Sequence, residues 1–243
     1  MCAVGRALRP AANSRCESQR KSIFDTFLNY RVFVETLPLI LSGLSTTLLL
    51  GFTCIVIGFV AGLALALSRL YATAPMRALA IAYIDVFRAI PILVLLFVIY
   101  YALPFAGLRL TSFVSATAAI SMVAAAYCAE ILRAGIEAVP LGQFEAARAL
   151  GLRPWLTMSK VVLPQAVKIV IPPLTSNSIN VMKDTALASV VAMPDLLKQA
   201  NQAQALAANP TPLIVAAVIY LIILLPLVRL AGYFEKRGAA SRL

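Results

Sequence analysis

Histidine is missing from this chain altogether. Its absence excludes a Ser/His/Asp triad, a histidine-ligated metal and a histidine proton relay. No GxxxxGK[ST] run occurs, so the chain has no P-loop with which to cradle nucleotide phosphates. Cysteine is scarce. Cys2, Cys16, Cys54 and Cys128 stand far apart without CxxC spacing, and two of them lie in apolar runs, which suits packing and neither a disulfide framework nor a zinc site. Charge is thin as well: 13% of residues are charged, against about a quarter in a water-soluble domain.

What fills the chain is apolar. Hydrophobic residues make up 61% of the 243, and the mean hydropathy is +0.90, which places the protein in lipid. The net charge of +11 would point to nucleic acid in a soluble protein. In a membrane chain it marks cytoplasmic loops instead, so membrane lipid is the expected partner and nucleic acid is not.

Five apolar stretches, 37–67, 78–103, 113–135, 161–182 and 212–231, are each long enough to cross about 30 Å of hydrocarbon as a helix. The expected fold is therefore all-α integral membrane, with about five transmembrane helices in one domain over 37–235. The fourth stretch contains Pro164, Pro172 and Pro173, and it reads equally as a kinked helix or as one broken beside a cavity. Basic residues set the orientation. With the loop after the first helix inside, Arg69, Arg77, Arg133, Arg148, Arg153, Lys160, Lys168 and Arg229, with the 236–243 tail, all fall on the cytoplasmic side. Only Arg109, Lys183 and Lys198 occupy the outer loops between helices. The N-terminus is then outside and the C-terminus cytoplasmic. An arm over 1–36, with Arg6, Arg9, Arg15, Arg20, Lys21 and Arg31, conflicts with this and has no signal-peptide core; it is expected to be flexible or to precede the true start.

Between the third and fourth stretches lies a polar segment, EAARALGLRPWLTMSKVVLP, residues 145–164. Pro140 suits a helix start, Phe144, Ala147 and Gly151 recur along one face, and Gly151 can take the left-handed conformation that closes a helix. Pro154 can begin the next one, and Trp155 fits the aromatic belt of a membrane interface. On these grounds alone the segment is a helix-turn-helix, either solvated or docked on another surface.

Glu145-Ala146-Ala147, Gly151, Val161 and Leu163-Pro164, at these spacings, resemble the EAA loop of importer-type ABC transporter permeases. YIDVFRAIPILVLLFVIYYALP (83–104), AAYCAEILRAGIEAVPLGQFEAARALGL (125–152), VVLPQAVKIVIPPLTSN (161–177) and KDTALASVVAMPDLL (183–197) narrow the resemblance to permeases for polar amino acids of the histidine, glutamine, arginine and opine type. The resemblance covers roughly 37–235 and implies a type I ABC importer permease architecture in a bacterial inner membrane. It implies that the loop, about 138–164, is the coupling element to a separate ATPase, with Glu145, Ala146, Ala147, Gly151, Leu163 and Pro164 as its site residues. It further implies a second permease subunit, paralogous or identical, two ATP-binding subunits and an extracytoplasmic solute-binding protein. ATP and magnesium would be held by the ATPase, leaving no cofactor, metal or catalytic residue in this chain. A stand-alone secondary transporter or membrane-embedded enzyme is the alternative class, but no internal repeat and no cluster of catalytic groups supports it.

Ionisable groups at membrane depth are costly and mark function or structural pairing. Asp85 with Arg88 and Glu130 with Arg133, each three apart, are expected to form ion pairs within their helices. Asp184, Thr185 and Ser189 are candidate substrate contacts, since they follow Lys183 in the resembling KDT segment. The chain reads RAIPILVL over Arg88–Leu95 where many such permeases read RGTPLLVQ, and it has Val123 where many have asparagine. If Ile90, Leu95 and Val123 line the path, this subunit offers a polar amino acid few hydrogen bonds.

Overall fold

In the computed structural model, which describes residues 27–240 with side chains to Tyr233, the first helix is far longer than its apolar stretch. α1 runs Tyr30–Tyr71, 42 residues, a length of about 63 Å. Asn29 opens it, its side chain accepting from the N–H groups of Arg31 and Val32. Residues 1–26 of the basic arm lie outside the described residues, as do those beyond Ala240.

The face that α1 turns inward is small. Gly51, Cys54, Gly58, Gly62 and Ala66 are all buried, and Gly58, Gly62 and Ala66 meet Ala124, Ala125, Cys128 and Ala129 on α4, Ser112–Glu137. Lipid tails give no hydrophobic drive to helix pairing, so association rests on close backbone approach, which small residues permit. The outward face carries Leu48, Phe52, Phe59 and Val60, which suits contact with lipid. A Cβ on Gly62 would stand 2.6 Å from Cys128 Cβ and 2.8 Å from the Ala125 carbonyl oxygen. Gly62→Val should thus separate α1 from α4 and lower stability by about 1–3 kcal/mol, seen as a lower melting temperature in detergent.

The second stretch corrects the expectation of one continuous span over 78–103. It divides into α2, Ala74–Ala89, and α3, Ile92–Phe97, which continues through a π-turn to Ala102 and a 3-10 turn to Ala106. The two halves are bent by 102°. Pro91 disfavours the helical conformation in its predecessor, and Ile90 is extended at φ −76°, ψ 131°.

Of the two readings of the fourth stretch, a kinked helix or one broken beside a cavity, the structure has no break. α7, Leu163–Asp184, runs through Pro172 and Pro173 as one helix, with Pro164 in its first turn, where a missing N–H costs little. Among the described residues three helices, α1, α4 and Thr211–Tyr233 of α9 (Thr211–Ala240), are long and apolar enough to cross a membrane, and four spans result if the bent pair counts as one. α7 has the length but is interrupted by polar side chains.

α5, Leu141–Ala149, and the single turn α6, Pro154–Leu156, link α4 to α7 through a π-segment, Thr157–Val162. A 3-10 segment, Thr185–Val191, leads from α7 to α8, Leu196–Ala207. The main core gathers Leu50, Cys54, Leu96, Ile120 and Val191. A second gathers Ile40 of α1 with Leu196 and Ala200 of α8 and Val215 of α9.

Candidate functional site

Two places in the fold hold the sequence-predicted residues. The first is the α5 loop. Pro140 precedes α5, and Gly151 closes it at φ +72°. The Gly151 N–H donates to the Arg148 carbonyl (2.9 Å) and the Leu152 N–H to the Ala147 carbonyl (3.1 Å), the paired bonds of a Schellman closure. Phe144 packs against Val139, Val162 and Ala166, Ala147 is buried, and the Gln165 side-chain amide donates to Gln143 Oε1 (3.2 Å). The loop is thereby fastened to the start of α7. Its other face is bare: Leu141 is 77% exposed, Leu150 80% and Trp155 77%, with Glu145, Ala146, Arg148, Gly151, Leu163 and Pro164 also exposed. Apolar side chains this open, rimmed by charge, mark a contact surface.

The second place is a cavity of about 330 Å³ between α4 and α7, lined by Ile120, Val123, Ala124, Tyr127, Asn177, Asn180, Val181 and Asp184. It brings Asp184 and Val123 to the same cavity. Asn177 and Asn180 were missed, although with Asp184 they recur at helical spacing along one side of α7, a polar stripe at membrane depth that could have been read directly. Thr185 and Ser189 do not line the cavity. Both are buried, and each donates to a carbonyl three residues back, Met182 and Ala186. Leu95 is in the core at 7% exposure, and Ile90 packs against the same cluster. Their apolar character is thus a packing requirement, and only Val123 of the three apolar positions reaches the cavity.

The ion pairs divide. Glu130 bonds Arg133 as expected, and it also accepts from Arg69 of α1 at 2.8 Å, while Arg133 reaches on to Glu137. This network ties α1 to α4, a link between elements that spacing within one helix cannot disclose. The pair expected between Asp85 and Arg88 is not formed among the described residues. Arg88 lies instead over the Tyr127 ring, 5.7 Å from its centre, because α2 leans its exposed basic end against α4.

Residues 60–239 match the family described as the binding-protein-dependent transport system inner membrane component. The chain belongs to this family. It is 37% identical over 215 residues to the probable glutamine ABC transporter permease protein GlnM of Bacillus subtilis, covering 86% of this chain and 98% of that one. It is 34% identical over 212 residues to the arginine transport system permease protein ArtQ of the same organism, with 86% and 97% covered. Among solved structures, an amino acid ABC transporter crystallised with histidines superposes with a TM-score of 0.82 at 37% identity, covering 86% of this chain and 99% of that one. The all-helical fold is thus that of an ABC importer permease, and the permease reading holds over the stand-alone secondary transporter or membrane enzyme.

Proposed function

We propose that this permease forms half of the translocation path of an ATP-driven importer for polar amino acids in a bacterial inner membrane. It works with a second permease subunit, a paralogue or another copy, and with two ATP-binding subunits that hold ATP and magnesium. An extracytoplasmic binding protein delivers the substrate.

The single observation that carries this reading is the α5 loop. Its closure at Gly151 and its anchorage through Phe144 and the Gln143–Gln165 hydrogen bond make a rigid unit that leaves an apolar, charge-rimmed face open. Since the chain carries no P-loop, motion from ATP hydrolysis must enter through such an element. The substrate half of the reading rests on the cavity. Its volume lies at the lower end of ligand-site sizes, suited to one amino acid. Two amides and a carboxylate supply partners for the ammonium and carboxylate groups, which are costly to desolvate alone. Relatives named for glutamine and for arginine support the class and leave the individual amino acid open.

Reconstitution tests it. Vesicles holding this permease with its partner ATPase and binding protein should take up a polar amino acid only when ATP and the loaded binding protein are both supplied. Uptake that proceeds without the ATPase would overturn the assignment.

A further inference from the structure

The buried polar groups of the permease are not all in the cavity between α4 and α7. A separate cluster lies where α8 meets α1 and α9. Asp195 caps α8, its Oδ1 accepting from the Lys198 N–H at 2.8 Å, and it is 0% exposed. The approach to α1 is as close as a backbone allows. A Cβ on Gly43 would stand 2.5 Å from the Asp195 carbonyl oxygen, and the Leu196 N–H donates to Thr47 Oγ1 at 2.9 Å. Tyr220 of α9 brings its phenol to the same place, beside Thr47 and Thr185 and within the field of Asp195.

Three buried atoms of α8 and α9 find no hydrogen-bond partner among the described residues: Asp195 Oδ2, Gln199 Oε1, one helical turn further along α8, and the Tyr220 hydroxyl. Two of the three are acceptors only, and the phenol has one hydrogen to give. The cluster is short of donors. Each buried acceptor left without one costs the desolvation of a polar group, and such a group in a native fold calls for an explanation.

We propose that Asp195 is a proton-binding site, in which the proton on Oδ2 supplies the missing donor and fastens α8 to α1 and α9. The charges around it favour a proton over a metal ion. Calcium and magnesium take six or more oxygen ligands and zinc favours nitrogen and sulfur, whereas this cluster has one carboxylate among a few neutral oxygens. Of the groups facing it, α1 and the 3-10 segment contribute only the hydroxyls of Thr47 and Thr185, and α9 contributes the Tyr220 phenol. Lys198, on α8 itself, is the one charged neighbour that acts on the carboxyl. Burial pushes the Asp195 carboxyl up to about 6, against backbone N–H groups that hold it down.

The direction of the pH dependence follows. A carboxyl whose folded pKa is raised binds more protons folded than unfolded between about 3.8 and about 6. Its contribution is greatest in acid and is lost as pH rises through that window. In the orientation expected from the loop charges, α8 faces outside, so the site would respond to the acidity of the medium. Because Asp195 lies at the far end of the segment that begins at Asp184, tightening α8 also steadies that wall of the cavity.

The test compares melting temperatures of the purified permease near pH 7 and near pH 5. Asp195→Asn keeps the cap through Oδ1 and supplies its own N–H donors, so it imitates the protonated state. Wild type should gain about 2–4 °C more than the variant on acidification. In infrared difference spectra, the carbonyl stretch of a protonated carboxyl should appear in the wild type and be absent from the variant. Equal pH responses in the two proteins overturn the proposal. So does a sodium-dependent rise at fixed pH that the variant loses, which would assign the orphaned oxygens to a cation. If Asp195→Asn does not assemble, Gln199→Leu decides: removing an acceptor of the proton should move the transition to lower pH, and an unmoved transition overturns the assignment.

Discussion

Vesicles carrying Gly151→Val with the ATPase should hydrolyse ATP at the basal rate and show no stimulation when loaded binding protein is added, while the wild type is stimulated and transports. Gly151 sits at φ +72° with nothing within 4 Å of where a Cβ would be built, so the substitution meets no clash. The cost is in the backbone alone, about 1–2 kcal/mol for a non-glycine residue in the left-handed region and more for a β-branched one. That is enough to open the two bonds that close α5 and to turn Leu150 and Glu145 out of register with the surface they meet. The helices that cross the membrane do not depend on this turn, so the variant should insert in normal amount. Stimulation of the variant to the wild-type level would show that the closure of α5 is not the transmitting element.

Asp184→Leu should depress uptake by about 10- to 100-fold, the loss of one charge-assisted hydrogen bond worth about 1.5–3 kcal/mol. The loss should fall on transport rather than on docking, because Asp184 lines the cavity at the far end of α7 from the α5 loop. Asn180→Leu should act in the same direction by a smaller amount, since a neutral amide makes the weaker bond. Leu95→Gln serves as the contrast. Leu95 lies in the main core, so the amide would be buried without a partner at a cost of about 1–3 kcal/mol, and the result is lost stability with no new specificity. Concentration-dependent uptake together with melting temperature separates these cases. Undiminished uptake by Asp184→Leu would remove the cavity from the path.

The sequence by itself determined the solvent, the helical class and the helix-turn-helix between α4 and α7, because each depends on local chemistry. Long apolar runs require lipid and internally satisfied backbones. A glycine followed by a proline where helical periodicity stops specifies a closure that neighbours need not supply. The pair of prolines in α7 left that helix whole, one of the two outcomes the local rules allow where a carbonyl can be satisfied otherwise. The tertiary structure decided everything that depends on which face of a helix meets which partner. The bend at Ile90 and Pro91 was visible as a proline, but whether the chain tilts through it or turns by 102° is set by packing against α4. Arg88 had a partner at helical spacing and took an aromatic ring on another helix instead. Glu130 gained Arg69 from 61 residues away. Leu95 and Val123, equivalent as apolar positions in the sequence, share the main core, yet only Val123 also lines the cavity. Contacts of this kind join residues distant in the chain, and their energies depend on burial and geometry that no spacing rule contains.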